Sequence, residues 1–169
     1  MSVIVTTRFT SETWRENTEW RGLHNHSGCI YGAPRLMCSK IPIDCSVFVV
    51  EMNNTTNNIE GIGLILNNVR VDKYYKIHQD GNYNRFTFKG KYRLDRETLI
   101  HFNSQLVLIL DELLFKGRSH MKRYQGITSV PHKLLVSEKS EGLHIHNEIK
   151  KAFISLCGCE NKSDEVKMY

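Results

Sequence analysis

Residues 45–52, CSVFVVEM, form a continuous apolar run with β-branched content, the pattern of a buried strand. The turn-forming run NNTTNN comes next, and then IEGIGLIL, so the two apolar runs predict a β-hairpin with a six-residue loop. Gly61 and Gly63 share one face of the second strand, which opens that face to close approach by a backbone, a helix or a ligand. VRVDKYYKI reads as a further strand, and Asp80 and Gly81 as a turn leading into NYNRFTFKGKYR at residues 82–93. If that stretch is extended, Tyr83, Arg85, Thr87, Lys89, Lys91 and Arg93 share one face, while Phe86, Phe88, Tyr92 and Leu94 share the other. The aromatic face then belongs in a core, and the basic face meets solvent or a polyanion.

The period changes after residue 93. Asp95 is placed to cap a helix over RETLIHFNSQLVLILDELLF, where Leu99, Phe102, Leu106, Ile109, Leu110 and Leu113 recur at helical spacing. Gly117 marks its end. Residues 143–157 predict a second helix with a narrower stripe of Ile145, Ile149, Phe153 and Leu156. Residues 8–44 show little steady period beyond a short helix over Glu12 to Arg21, and Pro34 and Pro42 bracket an extended connection into the hairpin. The expectation is an α+β fold with a mainly antiparallel twisted sheet or small barrel and two main helices. It occupies one domain, 1–159, with a polar C-terminal tail at 160–169.

Composition adds location to this picture. The charged fraction of 24% and hydrophobic fraction of 40% are ordinary for a globular protein. No uninterrupted run of 18 apolar residues occurs, and the N-terminus lacks the basic start and long apolar stretch of a signal peptide. The reading is therefore an intracellular protein, cytoplasmic or nuclear, neither secreted nor held in a membrane. Five cysteines, an odd number, fit free thiols in a reducing setting. The net charge of +5 is unevenly placed. The window Arg70 to Arg96 holds eight Lys or Arg residues against Asp72, Asp80 and Asp95, enough for the whole excess. Lys116, Arg118, Lys122 and Arg123 make a second basic cluster, and two such segments on one surface would form a polyanion-binding face.

Four kinds of chemistry can be weighed on these residues. Lys and Arg of the basic stripe could neutralise phosphates while Tyr74, Tyr75 or Tyr83 stack on bases, against the plainer reading of a solvated strand face. KRYQGIT resembles the Arg-x-x-Gly-x-Gly/Ala loop that binds the pyrophosphate of acetyl-coenzyme A in GCN5-related N-acetyltransferases, but Thr128 replaces the small residue and the loop comes after a helix and meets Pro131. His24 with His26, His144 with His146 and Cys157 with Cys159 lack the spacing of zinc knuckles, so no metal or other cofactor is expected. Ser119, Cys29, His120 and His24 are nucleophile and base types without any hydrolase signature around them.

The order of elements, from the extended connection through VFVVEM and IEGIGLIL to a basic strand and helices, resembles the small β-barrels of the PUA, ASCH, EVE and YTH group. The match spans about residues 30–115, with Ile59 to Leu66 as its motif. It implies a domain that binds RNA or a modified base, for which Trp14, Trp20 and Tyr31 could supply pocket walls. GNYNRFTFKGKYR and FKGRSHMKRYQGI are also similar to stretches in uncharacterised proteins of large DNA viruses. The expected function is a non-enzymatic nucleic-acid-binding module, for RNA or DNA, with Tyr83, Arg85, Lys89, Lys91, Arg93, Arg118, Lys122 and Arg123 as its contacts. The alternatives are an acetyltransferase-like enzyme using the KRYQGIT loop and a virion structural or scaffold protein.

Overall fold

The computed structural model describes residues 2–158, so the expected tail at 160–169 and Cys159 lie outside the described residues. The strands are β1 (Val3–Phe9), β2 (Cys29–Ala33), β3 (Ser46–Asn53), β4 (Asn58–Leu66), β5 (Phe86–Gly90), β6 (Tyr92–Asp95) and β7 (Thr128–Ser129). The helices are α1 (Ser11–Leu23), α2 (Arg96–Phe115), α3 (His132–Leu135) and α4 (Ile145–Cys157). Five strands form one sheet in the order β6-β4-β3-β1-β7, and β2 pairs with β5 in a second. Among the described residues every pairing is antiparallel except that of β1 with β3. This is the α+β, mainly antiparallel arrangement the apolar pattern predicts, and the sheets stay open instead of closing into a barrel.

The central strand explains its own composition. On one face of β3, Phe48, Val50 and Met52 join Leu99, Leu106, Leu110 and Leu113 of α2 and Ile149 and Phe153 of α4. On the other, Val47 and Val49 join Tyr31 of β2 and Phe88 of β5. A strand covered on both faces needs apolar residues at successive positions, which is why CSVFVVEM does not alternate. The two glycines of β4 serve this second core: a Cβ on Gly63 would run into Tyr31 Oη and Cys29 Sγ, and one on Gly61 into Leu94 O and Arg93.

Three expectations are corrected. Residues 69–77 are not a strand: they form an irregular connection in which the Ile77 and His78 N–H groups donate to the side-chain oxygen of Asn84. Tyr75 of that segment is buried against Trp20 instead of alternating along a ladder. The stretch 82–93 is not one strand either. It begins as a 3-10 turn, Gly81–Asn84, runs as β5 beside β2, breaks at Lys91 and continues as β6 beside β4. Its face pattern breaks with it, since Thr87 is as buried as its neighbour Phe88.

Local signals set the helix ends. Thr10 caps α1 in a capping box with Thr13, and Asp95 caps α2 by accepting from the Thr98 N–H at 2.8 Å. Inside α2, Asn103 leaves helical geometry, accepts from the Leu106 N–H and donates to Glu148 of α4, so it caps the second half of its own helix. Among the described residues α2 is the one helix long and apolar enough to cross a membrane, and its buried face, with Leu99, Leu106, Leu110 and Leu113, belongs to the core against the sheet.

Candidate functional site

At the C-terminal end of β1 the chain leaves the sheet for α1, and the turn Gly81–Asn84 and the loop between α2 and β7 close around that point. Between them lies a cleft of about 410 Å³. Arg8 lines it. Nη1 donates to Thr6 Oγ1 at 2.9 Å and to Met121 O at 3.2 Å, while Nη2 donates to Thr6 O, Thr128 Oγ1 and Gly126 O. One guanidinium thus buckles the α2–β7 loop onto β1. Burial pulls it down to about 10, with the nearby Tyr124 phenol opposing, so it stays charged at neutral pH.

The opposite wall comes from the connection into β5. Tyr83 stands on the 3-10 turn, 44% exposed, edge-on to the buried His78 ring at 6.0 Å. His78 Nδ1 lies 2.7 Å from Glu16 Oε2 of α1, which ties this wall to the helix. Gly32 permits the close approach, since a Cβ there would strike Tyr83 O. The third wall is the β3–β4 loop, where Asn54 Nδ2 donates to Lys122 O at 2.9 Å and Lys122 Nζ donates to Asn57 Oδ1 at 2.6 Å. Tyr124, 51% exposed, and Gln125, which accepts from Arg35 at 3.1 Å, complete the rim.

Of the residues expected to contact nucleic acid, the cleft gathers Tyr83 and Lys122, and Tyr124, Gln125 and Gly126 of KRYQGIT line it as well. Arg85, Lys91, Arg118 and Arg123 are exposed, and Lys89 is half-buried with its ammonium over the rings of Trp20 and Tyr75. Arg93 is corrected: its side chain is 10% exposed and paired to Glu51, because β6 turns it into the space above Gly61. Burial works to lower the Arg93 guanidinium, and the adjacent Glu51 overcomes this and holds it above its ordinary value. The three aromatics expected to line a base pocket do not meet in one. Tyr31 is buried in the inter-sheet core, donating its hydroxyl to Glu51 Oε1 at 2.7 Å. Trp20 is buried and stacked on His24 at 4.0 Å, and Trp14 packs edge-on against Phe9 between Arg21 and Arg93.

Other candidate chemistry is absorbed by structure. Burial, reinforced by Glu51, pushes the Cys29 thiol up to about 12, which leaves no thiolate for nucleophilic attack near neutrality. His24 and His26 bond to the carbonyls of Trp20 and Cys29, and His146 bonds to Ser2. Among the described residues no group of three or more His, Cys, Asp or Glu side chains is arranged to hold a metal. In KRYQGIT, Gly126 points its carbonyl at Arg8, and the loop leads into the two-residue β7 and the four-residue α3.

Arg8 and Asn54 escaped the sequence reading, and Tyr124 entered it only as part of KRYQGIT. A signal existed for Arg8, a lone cation near the end of the apolar run VIVTTRF, where a charge needs partners from elsewhere in the fold. No protein-family model, curated protein or solved structure matches the chain.

Proposed function

We propose that this protein is a non-enzymatic nucleic-acid-binding module whose contact surface is centred on the β1–α1 cleft. One observation carries the reading: the two half-exposed tyrosines Tyr83 and Tyr124 border the same cleft as the cations Arg8 and Lys122. Aromatic faces beside a basic groove are the combination that holds single-stranded nucleic acid, because every base can stack and every phosphate needs neutralising. The exposed Arg85, Arg118 and Arg123 add positive field outside the cleft.

The test is a titration of labelled single- and double-stranded oligonucleotides against wild type, Tyr83→Ala and Tyr124→Ala at two salt concentrations. Salt-dependent binding that favours the single strand is expected, with each tyrosine variant losing roughly 1–3 kcal/mol if its ring stacks on a base. Absence of salt-dependent binding to every oligonucleotide defeats the reading.

A further inference from the structure

We propose that the Arg8 end of the cleft binds the phosphate group of a nucleotide, with the Lys122 ammonium as its second cation. The proposal deepens the nucleic-acid reading and rests on it for the nucleoside half of the ligand.

The five hydrogen bonds of Arg8 all run to neutral oxygens, those of Thr6, Met121, Gly126 and Thr128. Among the described residues no carboxylate lies within ion-pairing distance of it, whereas Arg93 has Glu51 and Arg96 has Asp111. Lys122 repeats the pattern, its ammonium resting on the neutral Asn57 Oδ1. Among the described residues, the one carboxylate in the cleft wall is Asp80, whose Oδ1 accepts from the Asn82 N–H at 2.9 Å. The neighbouring Glu16 is engaged with His78 and the Gln79 N–H. Among the described residues, the cleft is thus lined by two cationic side chains, Arg8 and Lys122, that no carboxylate ion-pairs. Partly desolvated charge of one sign favours an anion that brings its own compensation.

Hydrogen bonding points the same way. Among the described residues, the buried side-chain atoms without a partner are Arg8 Nε and Asn54 Oδ1, both on residues of this wall. The bond from Asn54 Nδ2 to Lys122 O sets which end of that amide is the oxygen. One orphan is a donor and the other an acceptor, and such atoms call for partners. A nucleotide carries both counterparts: phosphate oxygens accept from a guanidinium, and ribose hydroxyls or base N–H groups donate to an amide oxygen. The cleft's volume of about 410 Å³ is in the range of small-ligand sites, roughly 300–1,000 Å³.

The experiment compares adenosine, adenosine monophosphate and inorganic phosphate by titration calorimetry on wild type, Arg8→Gln and Lys122→Gln. Oligonucleotides with and without a terminal phosphate form a further arm. Because Arg8 also holds the α2–β7 loop, the folding of its variant is checked by circular dichroism, and Lys122→Gln gives a second reading on a half-buried residue. The nucleotide is expected to bind about tenfold or more tightly than the nucleoside, and each variant to remove most of that preference. A preference for the phosphorylated end places a phosphomonoester at Arg8, and equal binding of both oligonucleotides with loss in the Arg8 variant places a phosphodiester there. Equal affinity for nucleotide and nucleoside, failure of the nucleotide to bind at millimolar concentration, or a preference that survives both variants overturns the proposal. If the nucleotide binds through Arg8 while no oligonucleotide binds, the phosphate site stands and the nucleic-acid reading falls. If oligonucleotides bind indifferently to both variants, the reverse holds.

Discussion

Glu51 and Arg93 form a two-pronged ion pair inside the protein, with Nη2 2.7 Å from Oε2 and Nε 2.9 Å from Oε1. Their side chains are 1% and 10% exposed, and Tyr31 donates to the same carboxylate. Removing one partner strands the other charge in the core, so Arg93→Met and Glu51→Leu are each expected to destabilise the fold by roughly 3–5 kcal/mol. The double variant should recover most of that loss, because the pair's attraction mainly offsets its own desolvation. Urea denaturation of the four proteins measures this. Additive losses in the double variant would contradict it.

Alkaline pH should weaken the fold through Cys29. Its thiol, ordinarily near 9.0, is held protonated up to about 12 by burial and then by Glu51. Between those values the unfolded chain has released the proton and the folded one has not, so the unfolded state binds fewer protons and stability falls as pH rises. Tyr31, raised well above its ordinary 10.0 by the same burial, adds to the slope higher up. The urea midpoint should decline from about pH 9 upward, and less steeply in Cys29→Ala. In the native protein, thiol alkylation near pH 8 should label the exposed Cys38 and spare Cys29.

Much of the framework was legible because its signals are local. The hairpin of β3 and β4 declared itself by two apolar runs about a turn, and α2 by the Asp95 cap and a regular stripe. The parallel partner β1 did not, since a seven-residue strand at the chain start announces no partner forty residues away. VRVDKYYKI imitated a strand because alternation carries no information about whether a neighbouring strand exists. Extending one strand through Lys91 puts Arg93 on a solvent face, whereas the chain changes sheets at that residue. Glu51 was the available warning: a carboxylate within a continuous apolar run demands a buried cation.

Gly63→Ala should destabilise the fold without any loss of contact, since the new methyl would collide with Tyr31 Oη and Cys29 Sγ. Overpacking of this kind costs typically about 1–3 kcal/mol. A Gly63→Ala, Tyr31→Phe double variant tests the mechanism, because removing the hydroxyl clears part of the space. If the double variant is no more stable than two independent losses would make it, the collision is not the cause.

Asn103 should act as a helix cap inside α2. Its side chain accepts from the Leu106 N–H at 3.2 Å and donates to Glu148 at 3.1 Å, while its backbone leaves helical geometry. Asn103→Ala is expected to lose about 1 kcal/mol, the ordinary effect of removing a cap, and Asn103→Ser, which keeps an acceptor for the Leu106 N–H and sets no charge against Glu148, to keep most of it. Thermal unfolding of both variants gives the comparison, and equal losses would show that the Glu148 contact and not the cap matters.

Basic residues and tyrosines should lose oligonucleotide binding in different ways, which separates field from contact. Lys89 and Lys91 lie outside the cleft wall, so reversing both to Glu alters the potential around the site without removing a group from it. Such an effect acts through solvent and is screened over about 10 Å at 0.1 M salt, so the variant's deficit should shrink as salt rises. Tyr83 lies in the wall, and Tyr83→Ala removes a stacking face whose contribution does not depend on counterions. Its deficit should be the same at low and high salt. Lys122→Gln falls between them, removing one cation from the wall and lowering the slope of log affinity against log salt by roughly 0.7–0.9 if it meets a phosphate. If the Lys89 and Lys91 reversal instead gives a salt-independent loss as large as that of Tyr83→Ala, the contact surface runs along the edge of β5 and not through the cleft.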